Sequence, residues 1–355
     1  MILHIVEPTF NSYAGHCHSL VQALVQGAPV ENVKIWAGKG SEKFWQGRGQ
    51  LVPYFVKALR RFQAFFLYKR LLCEPGKILL STAGTSDLIT LDWVAKDLIP
   101  ESKVYLYIHW LGSKEAKAAK LAAIAKRQPN LEILCTTDSG TDFFKELGFK
   151  ALTVPYPRSS MLISNYVAQP FSHLLVAGAA RRDKGFNRIV DLVESFSKNS
   201  EITWPISVQA SATHQNKHAS EITGEINRLV NFDYKYLNLL QDTLSPTAYQ
   251  ALFPGAISLQ PYSESDFQDR VSGVTLDALL AGCPVVVTAN TWLARTVCLY
   301  GAGVETSDLS PTGLQVAIEK ILSNYSGYAQ RAANAGQLLH AQHSASVMMA
   351  ALFKK

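Results

Sequence analysis

The chain has 355 residues, enough for about two domains. Aliphatic, aromatic and cysteine residues make up 48% and charged residues 17%, which excludes a disordered chain, and no apolar run approaches the ~18 residues of a membrane-crossing helix. A formal charge of +6 suits anionic ligands or a membrane surface and does not specify nucleic acid.

Ile2 to Val6 is an apolar strand. It runs into a small, polar loop ending at Ala14-Gly15, and His16 to Leu24 reads as a helix. Gly15 therefore stands at a strand-to-helix junction, where backbone can approach a ligand closely. Val33 to Ala37 is the next strand. Leu51 to Leu72 is placed on a helix with Phe55, Leu59, Phe62 and Phe66 on one face and Lys57 and Arg61 opposite. Two readings stay open for it: a sheet-packed helix with a solvated basic face, or a basic, aromatic surface that touches anionic lipid.

Strands follow at Lys77 to Leu80, Val104 to Ile108 and Ile133 to Cys135. The first leads into the polar loop Ser81 to Asp87, and the second delivers His109 past its end, where α/β proteins place ligands. A lone histidine there can equally be structural. Thr136 to Ser139 opens a helix that Gly148 stops. After Leu152 to Val154, regular structure lapses from Pro155 to about Pro170, the expected domain boundary.

The pattern restarts with a strand at His173 to Ala177. Gly178 to Gly185 then carries Arg181, Arg182 and Lys184 into a helix. Three cations at a strand-loop-helix junction suit an anion clamp, because arginine grips phosphate as a fork and lysine as a compact charge; a solvated loop is the alternative. Ile206 to Gln209 and Leu237 to Leu240 are short strands, and Ser245-Pro246 opens a helix. Ile257 to Asn290 is the densest stretch. It reads as a strand, a turn at Val271-Ser272-Gly273-Val274, a helix through Leu280 and the buried strand Val285 to Val287. The helix start gathers free N–H groups suited to phosphate. Asp269 and Asp277 flank it, and short carboxylates there fit sugar hydroxyls better than phosphate; an ordinary βαβ unit with solvated acids remains the alternative. A helical, alanine-rich end runs from Tyr328 to Phe353.

These features together resemble the GT-B glycosyltransferases, most closely the retaining enzymes of glycosyltransferase family 4. The likeness covers most of the chain and is strongest from Leu174 to Gly303. The family's glycine turn after its first strand is matched by Ala14-Gly15, its histidine by His109, and its Lys-Gly pair by Lys184-Gly185 behind a basic pair. Its two glutamates, with seven residues between them and followed by Ala and Gly-x-Pro-Val-Val, are matched by Asp269, Asp277-Ala278 and Gly282-Cys283-Pro284-Val285-Val286. Aspartates thus replace both glutamates, and Arg181 and Arg182 compete for one arginine position.

The resemblance implies two Rossmann-like domains facing a crevice, over residues 1–160 and 171–330, with a helix over 331–355 crossing back to the first domain. It implies transfer from a UDP- or GDP-sugar to a glycan or lipid-linked acceptor, with retention and without a metal. Arg182 (or Arg181), Lys184 and the amides of Gly273 and Val274 would hold the diphosphate. Asp277 would bind the ribose, Asp269 with the amides near Val271 and Ser272 the sugar hydroxyls, and the loop at Leu240 the base. His109 would touch the sugar near its anomeric carbon, and Gly15 would line the donor. A nucleotide-sugar epimerase and a silent nucleotide-sugar-binding subunit are the rival expectations. Five scattered cysteines without a CxxC pair, and no basic segment ahead of a long apolar core at the start, set the expected location as cytoplasmic, with the Leu51–Leu72 surface at the inner membrane face.

Overall fold

A computed structural model describes residues 1–13, 17–110, 117–158, 169–210 and 219–353. The chain divides into two compact units, Met1–Leu162 with Gln342–Lys355, and Ile163–Ala341.

In the first unit the elements are β1 (Ile2–Glu7), α1 (Cys17–Gly27), β2 (Asn32–Gly38), β3 (Gln50–Phe55), α2 (Arg60–Cys73), β4 (Lys77–Leu80), α3 (Thr85–Val94), β5 (Val104–Ile108), α4 (Ala118–Arg127), β6 (Glu132–Cys135), α5 (Asp138–Glu146) and β7 (Lys150–Thr153). The second unit holds β8 (His173–Val176), α6 (Phe186–Ser197), β9 (Ile206–Gln209), α7 (Ala219–Asn231), β10 (Leu237–Leu240), α8 (Pro246–Gln250), β11 (Ala256–Gln260), α9 (Glu264–Phe267), α10 (Gly273–Leu280), β12 (Val285–Thr288), α11 (Trp292–Leu299), β13 (Gly303–Thr306), α12 (Pro311–Leu322) and α13 (Tyr325–Gln342). A final helix, α14 (Ala345–Phe353), belongs to the first unit, where it lies against α1.

Each unit is built on one sheet. The first has seven strands in the order β3-β2-β1-β4-β5-β6-β7, the second six in the order β10-β9-β8-β11-β12-β13. Every pairing between them is parallel. Parallel strands are covered on both faces, which is why they read as unbroken apolar runs. Val285, Val286 and Val287 are fully buried, each contributing about 1.5–3 kcal/mol by leaving water. In both sheets the chain first builds outward on one side and then returns to the other. The reversal falls between β1 and β4 in one sheet and between β8 and β11 in the other. At such a switch point two neighbouring loops diverge from the strands' carboxyl ends and leave room for a ligand.

The stretch from Leu51 to Leu72 is not one helix. Gln50–Phe55 forms β3, with Phe55 buried, and the helix begins only at Arg60. Pro53 cannot donate to a ladder, and the strand is an edge strand, where that is tolerated. On α2 the buried face is Ala64, Leu67, Tyr68 and Leu71, while Leu59, Phe62 and Phe66 are exposed. The alanine-rich end is also two helices, parted at His343-Ser344. There the His343 ring meets the Tyr156 carbonyl at 2.9 Å and the Arg158 amide donates to the His343 carbonyl at 2.7 Å. Helix α13 packs on the second unit so closely that a Cβ on Gly336 would lie 2.3 Å from the Leu279 carbonyl oxygen.

Candidate functional site

In the second unit, the loops after β8 and β11 meet at the switch point. Gly178 leaves β8 with φ +93°, a backbone state that disfavours any side chain, and its amide donates to the buried Gln209 side chain at 2.7 Å. Where a Cβ would stand on Gly178, the Lys184 Nζ is 3.0 Å away and a Val274 methyl 3.3 Å. One glycine thus brings the Lys184 ammonium beside the first turn of α10. Gly185 follows at φ +69°, and a Cβ there would lie 2.0 Å from the Pro261 carbonyl oxygen. The Lys-Gly pair is therefore a backbone crossing: only glycine lets the first loop pass over the second. Arg188 fixes the second loop by donating to the Pro261 carbonyl at 2.7 Å.

Lys184 is half-buried, with its ammonium 5.4 Å from the centre of the buried Tyr262 ring. Burial first, and then the charges of Arg181 and Arg270, draw its pKa down to about 8, with Asp183 opposing. Asp183 accepts a forked pair of hydrogen bonds from Arg181 and a 3.3 Å contact from Arg270. Arg181, Lys184 and Arg270 therefore form one cationic group around Asp183, with Asp266 also acting on Arg270. Arg182 points elsewhere: it is 66% exposed and pairs with Glu221 on α7 at 2.8 Å.

Helix α10 starts at this cation group. Ser272 caps it, its buried hydroxyl accepting from the Thr275 amide at 3.3 Å. The amides of Gly273 and Val274 precede the helical ladder and sit at the positive end of the dipole. Thr275 donates to Gln260 at 2.6 Å, and Gln260 to Ser258 at 3.0 Å, tying the helix to β11 through a buried polar thread. Val271 is half-buried against the apolar cluster beneath the helix. Asp277, one turn on, accepts from the Tyr249 hydroxyl of α8 at 3.2 Å. Asp269 is half-buried and lies 4.0 Å from Arg295 of α11. Leu240 ends β10, and its carbonyl accepts from the Ala210 amide at 2.8 Å.

In the first unit, Gly15 lies outside the described residues. His109 is half-buried beyond β5. Its Nε2 meets the Ser81 carbonyl at 2.8 Å, and its ring packs edge-on against Tyr107 and Tyr156. Asp87 stabilises its own helix, accepting from the Gly84 amide at 2.9 Å and the Tyr68 hydroxyl at 2.6 Å.

Thus Arg181, Lys184, Ser272, Gly273 and Val274 come together at one switch point, with Asp269 and Asp277 on the elements beside them. Arg182 is turned away, and His109 belongs to the other unit. Gly178, Tyr262 and Arg270 are members that sequence reasoning passed over. A glycine directly after a strand was the available signal for the first; the other two are visible only once the loops are folded. Among the described residues, no group of three His, Cys, Asp or Glu side chains could hold a metal.

No protein-family model matches the chain, and no curated protein matches it. Solved structures do. Sucrose-phosphate synthase from Thermosynechococcus elongatus superposes with a TM-score of 0.72 at 13% identity, over 100% of this chain and 98% of that one. WaaG, a glycosyltransferase involved in lipopolysaccharide biosynthesis, gives 0.69 at 13% identity over 100% of both chains. Anabaena HepE, in complex with UDP-glucose, gives 0.67 at 13% identity over 99% of this chain and 98% of that one. Two Rossmann-like units of this kind are the GT-B glycosyltransferase fold, and that is the fold of this chain.

Proposed function

We propose that this protein is a glycosyltransferase that uses a nucleotide-diphosphate sugar, a UDP- or GDP-sugar. The observation that carries this is the placement of Lys184 beside Gly178 and the start of α10, with Arg181 and Arg270 next to it. Cations and helix amides at a switch point suit a diphosphate. HepE of the same fold was solved with UDP-glucose and with UDP, which favours uridine as the base.

In this reading Arg181 and Lys184, with the amides of Gly273 and Val274, stabilise the charge that gathers on the diphosphate as the glycosidic bond breaks. Preorganised electrostatics of this kind often supply the largest share of a rate enhancement. Arg181 takes the fork position in place of Arg182. Asp277 binds the ribose and Asp269 the sugar hydroxyls. His109 touches the sugar near its anomeric carbon. The acceptor hydroxyl attacks on the leaving-group face, a diphosphate oxygen takes its proton, and configuration is retained. The protein cations supply the charge a metal would otherwise bring, so transfer proceeds in EDTA.

The acceptor is a glycan or lipid-linked glycan at the inner face of a membrane. The motivating observation is the exposed trio Leu59, Phe62 and Phe66, with Phe62 and Phe66 rings 4.7 Å apart, beside exposed Lys57, Arg60 and Arg61. Among the described residues no helix is long and apolar enough to cross a membrane; in this reading the exposed aromatic and basic surface carries the attachment.

A thermal-shift screen against UDP, GDP, ADP and their sugar conjugates, with and without EDTA, tests the reading. A bound ligand raises the melting temperature by mass action. One nucleotide raising it equally in EDTA is the expected result. No shift with any nucleotide would sink the reading and favour a silent partner subunit.

A further inference from the structure

The first unit's switch point holds a buried acidic side chain that the proposed function does not use. Glu7 ends β1 and is fully buried. Its Oε1 accepts from the Thr9 amide at 3.2 Å, from the Thr9 hydroxyl and from the Thr82 hydroxyl at 2.9 Å. Its Oε2 accepts from the Ser81 hydroxyl at 2.8 Å. The Ser81 hydroxyl also lies 3.1 Å from the Val6 carbonyl, a second acceptor within its reach. The Cys17 thiol lies 3.0 Å from the Thr9 hydroxyl, at the edge of the same group. One carboxylate therefore ties the loop after β1 to the loop after β4.

The tie reaches β5 as well. The Ser81 amide donates to the Val6 carbonyl at 3.1 Å, its hydroxyl donates to Glu7, and its carbonyl meets His109 Nε2 at 2.8 Å. A carbonyl can only accept, so Nε2 carries a proton. The ring stands between Tyr107 and Tyr156, with centroids 4.6 and 5.4 Å away. Its edge contacts set its tilt, and Ser81 sets its tautomer.

We propose that Glu7 is a positioning residue: through Ser81 it fixes the orientation and tautomer of His109. This rests on the proposed part of His109 in glycosyl transfer. Glu7 itself is fully buried, and its two oxygens are held by Thr9, Ser81 and Thr82. Glutamine at this position has the same shape but turns an NH2 group toward the Ser81 hydroxyl, which must give up its bond to position 7 and send its proton to the Val6 carbonyl. The released Ser81 would then let the His109 ring drift, and a shift of about 1 Å near a reacting centre costs roughly a hundredfold in rate.

The test uses the full-length protein, labelled with heavy nitrogen in its histidines, without ligand. In the wild type, magnetic resonance should find the His109 proton on Nε2 and exchanging slowly. Glu7→Gln, and separately Ser81→Ala in case the first variant fails to fold, should mix the tautomers and speed that exchange about tenfold. UDP release from UDP-glucose should fall about a hundredfold in both while UDP affinity stays unchanged. An unaltered tautomer and exchange rate in both variants would overturn the proposal. So would wild-type UDP release in both beside an inactive His109→Ala, which would leave the transfer reading standing. A fully active His109→Ala would remove His109 from transfer, and the positioning role with it.

Discussion

Replacing Lys184 with Met separates the charge of this side chain from its packing. The methionine keeps most of the apolar stem against Tyr262 and Val274 and removes the ammonium. A charge-assisted hydrogen bond to a diphosphate contributes about 1.5–3 kcal/mol, so nucleotide affinity should weaken roughly 10- to 150-fold. The shifted pKa sharpens this into a pH dependence. With a pKa of about 8, the free side chain is about nine-tenths charged at pH 7 and about one-tenth at pH 9. Wild-type affinity should therefore fall about tenfold over that span, while Lys184→Met stays flat. Stability moves the other way. The folded-state pKa lies below the unfolded value of 10.5, so between about pH 8 and 10.5 the unfolded chain binds more protons. Across that window the wild type should gain up to about 1.4 kcal/mol per pH unit relative to Lys184→Met. Isothermal titration with the nucleotide that raises the melting temperature, from pH 7 to 9, measures the first effect, and urea unfolding from pH 8 to 10 measures the second. Equal affinity of the two proteins at pH 7 would refute the diphosphate role. Parallel stability curves would refute the burial of a cation.

Arg181→Ala should weaken nucleotide binding by about tenfold or more, whereas Arg182→Ala, which breaks only an exposed pair with Glu221, should change it less than twofold by the same titration. Gly185→Ala should lose at least 3 kcal/mol or fail to fold, read by urea unfolding, because it adds a left-handed backbone penalty to a collision with Pro261. Asp277→Ala should weaken UDP binding by roughly 5- to 10-fold, yet leave the affinity for a dideoxyribose analogue of UDP unchanged, since only the hydroxyls meet the carboxylate. Phe62→Ser with Phe66→Ser should release the protein from anionic vesicles in a sedimentation assay, as should removing Lys57, Arg60 and Arg61 together. Undiminished sedimentation of both variants would end the membrane assignment.

The strands were legible because parallel sheets demand it. Lys77 to Leu80, Val104 to Ile108, Ile206 to Gln209 and Leu237 to Leu240 stand where the apolar runs put them. β3 was hidden, since Pro53 and the aromatic run beside it read as part of an amphipathic helix. Its partner is β2, and only an edge position makes that proline admissible. The choice between Arg181 and Arg182 had no answer in sequence. Neighbouring residues in a tight turn face opposite ways, and here one meets Asp183 and the other Glu221. Glu7 was invisible for another reason. An acid at a strand end resembles any solvated acid, and its partners Ser81 and Thr82 lie 74 and 75 residues away in the chain.

Helix α10 is held at both ends. Ser272 and Thr275 anchor its first turn, and Gly336 of α13 presses on the backbone of Leu279 and Leu280 at its last. A rod of eight residues gripped in this way cannot pivot to meet a ligand. In the proposed reading its leading amides would act as a fixed template. A ligand of the wrong length gains nothing from them, and the right one meets dipoles that need no reorientation. Selectivity for a diphosphate would then be set partly by the alanine-rich helix behind α10, and any residue larger than glycine at position 336 would be felt as lost affinity at the opposite end of α10.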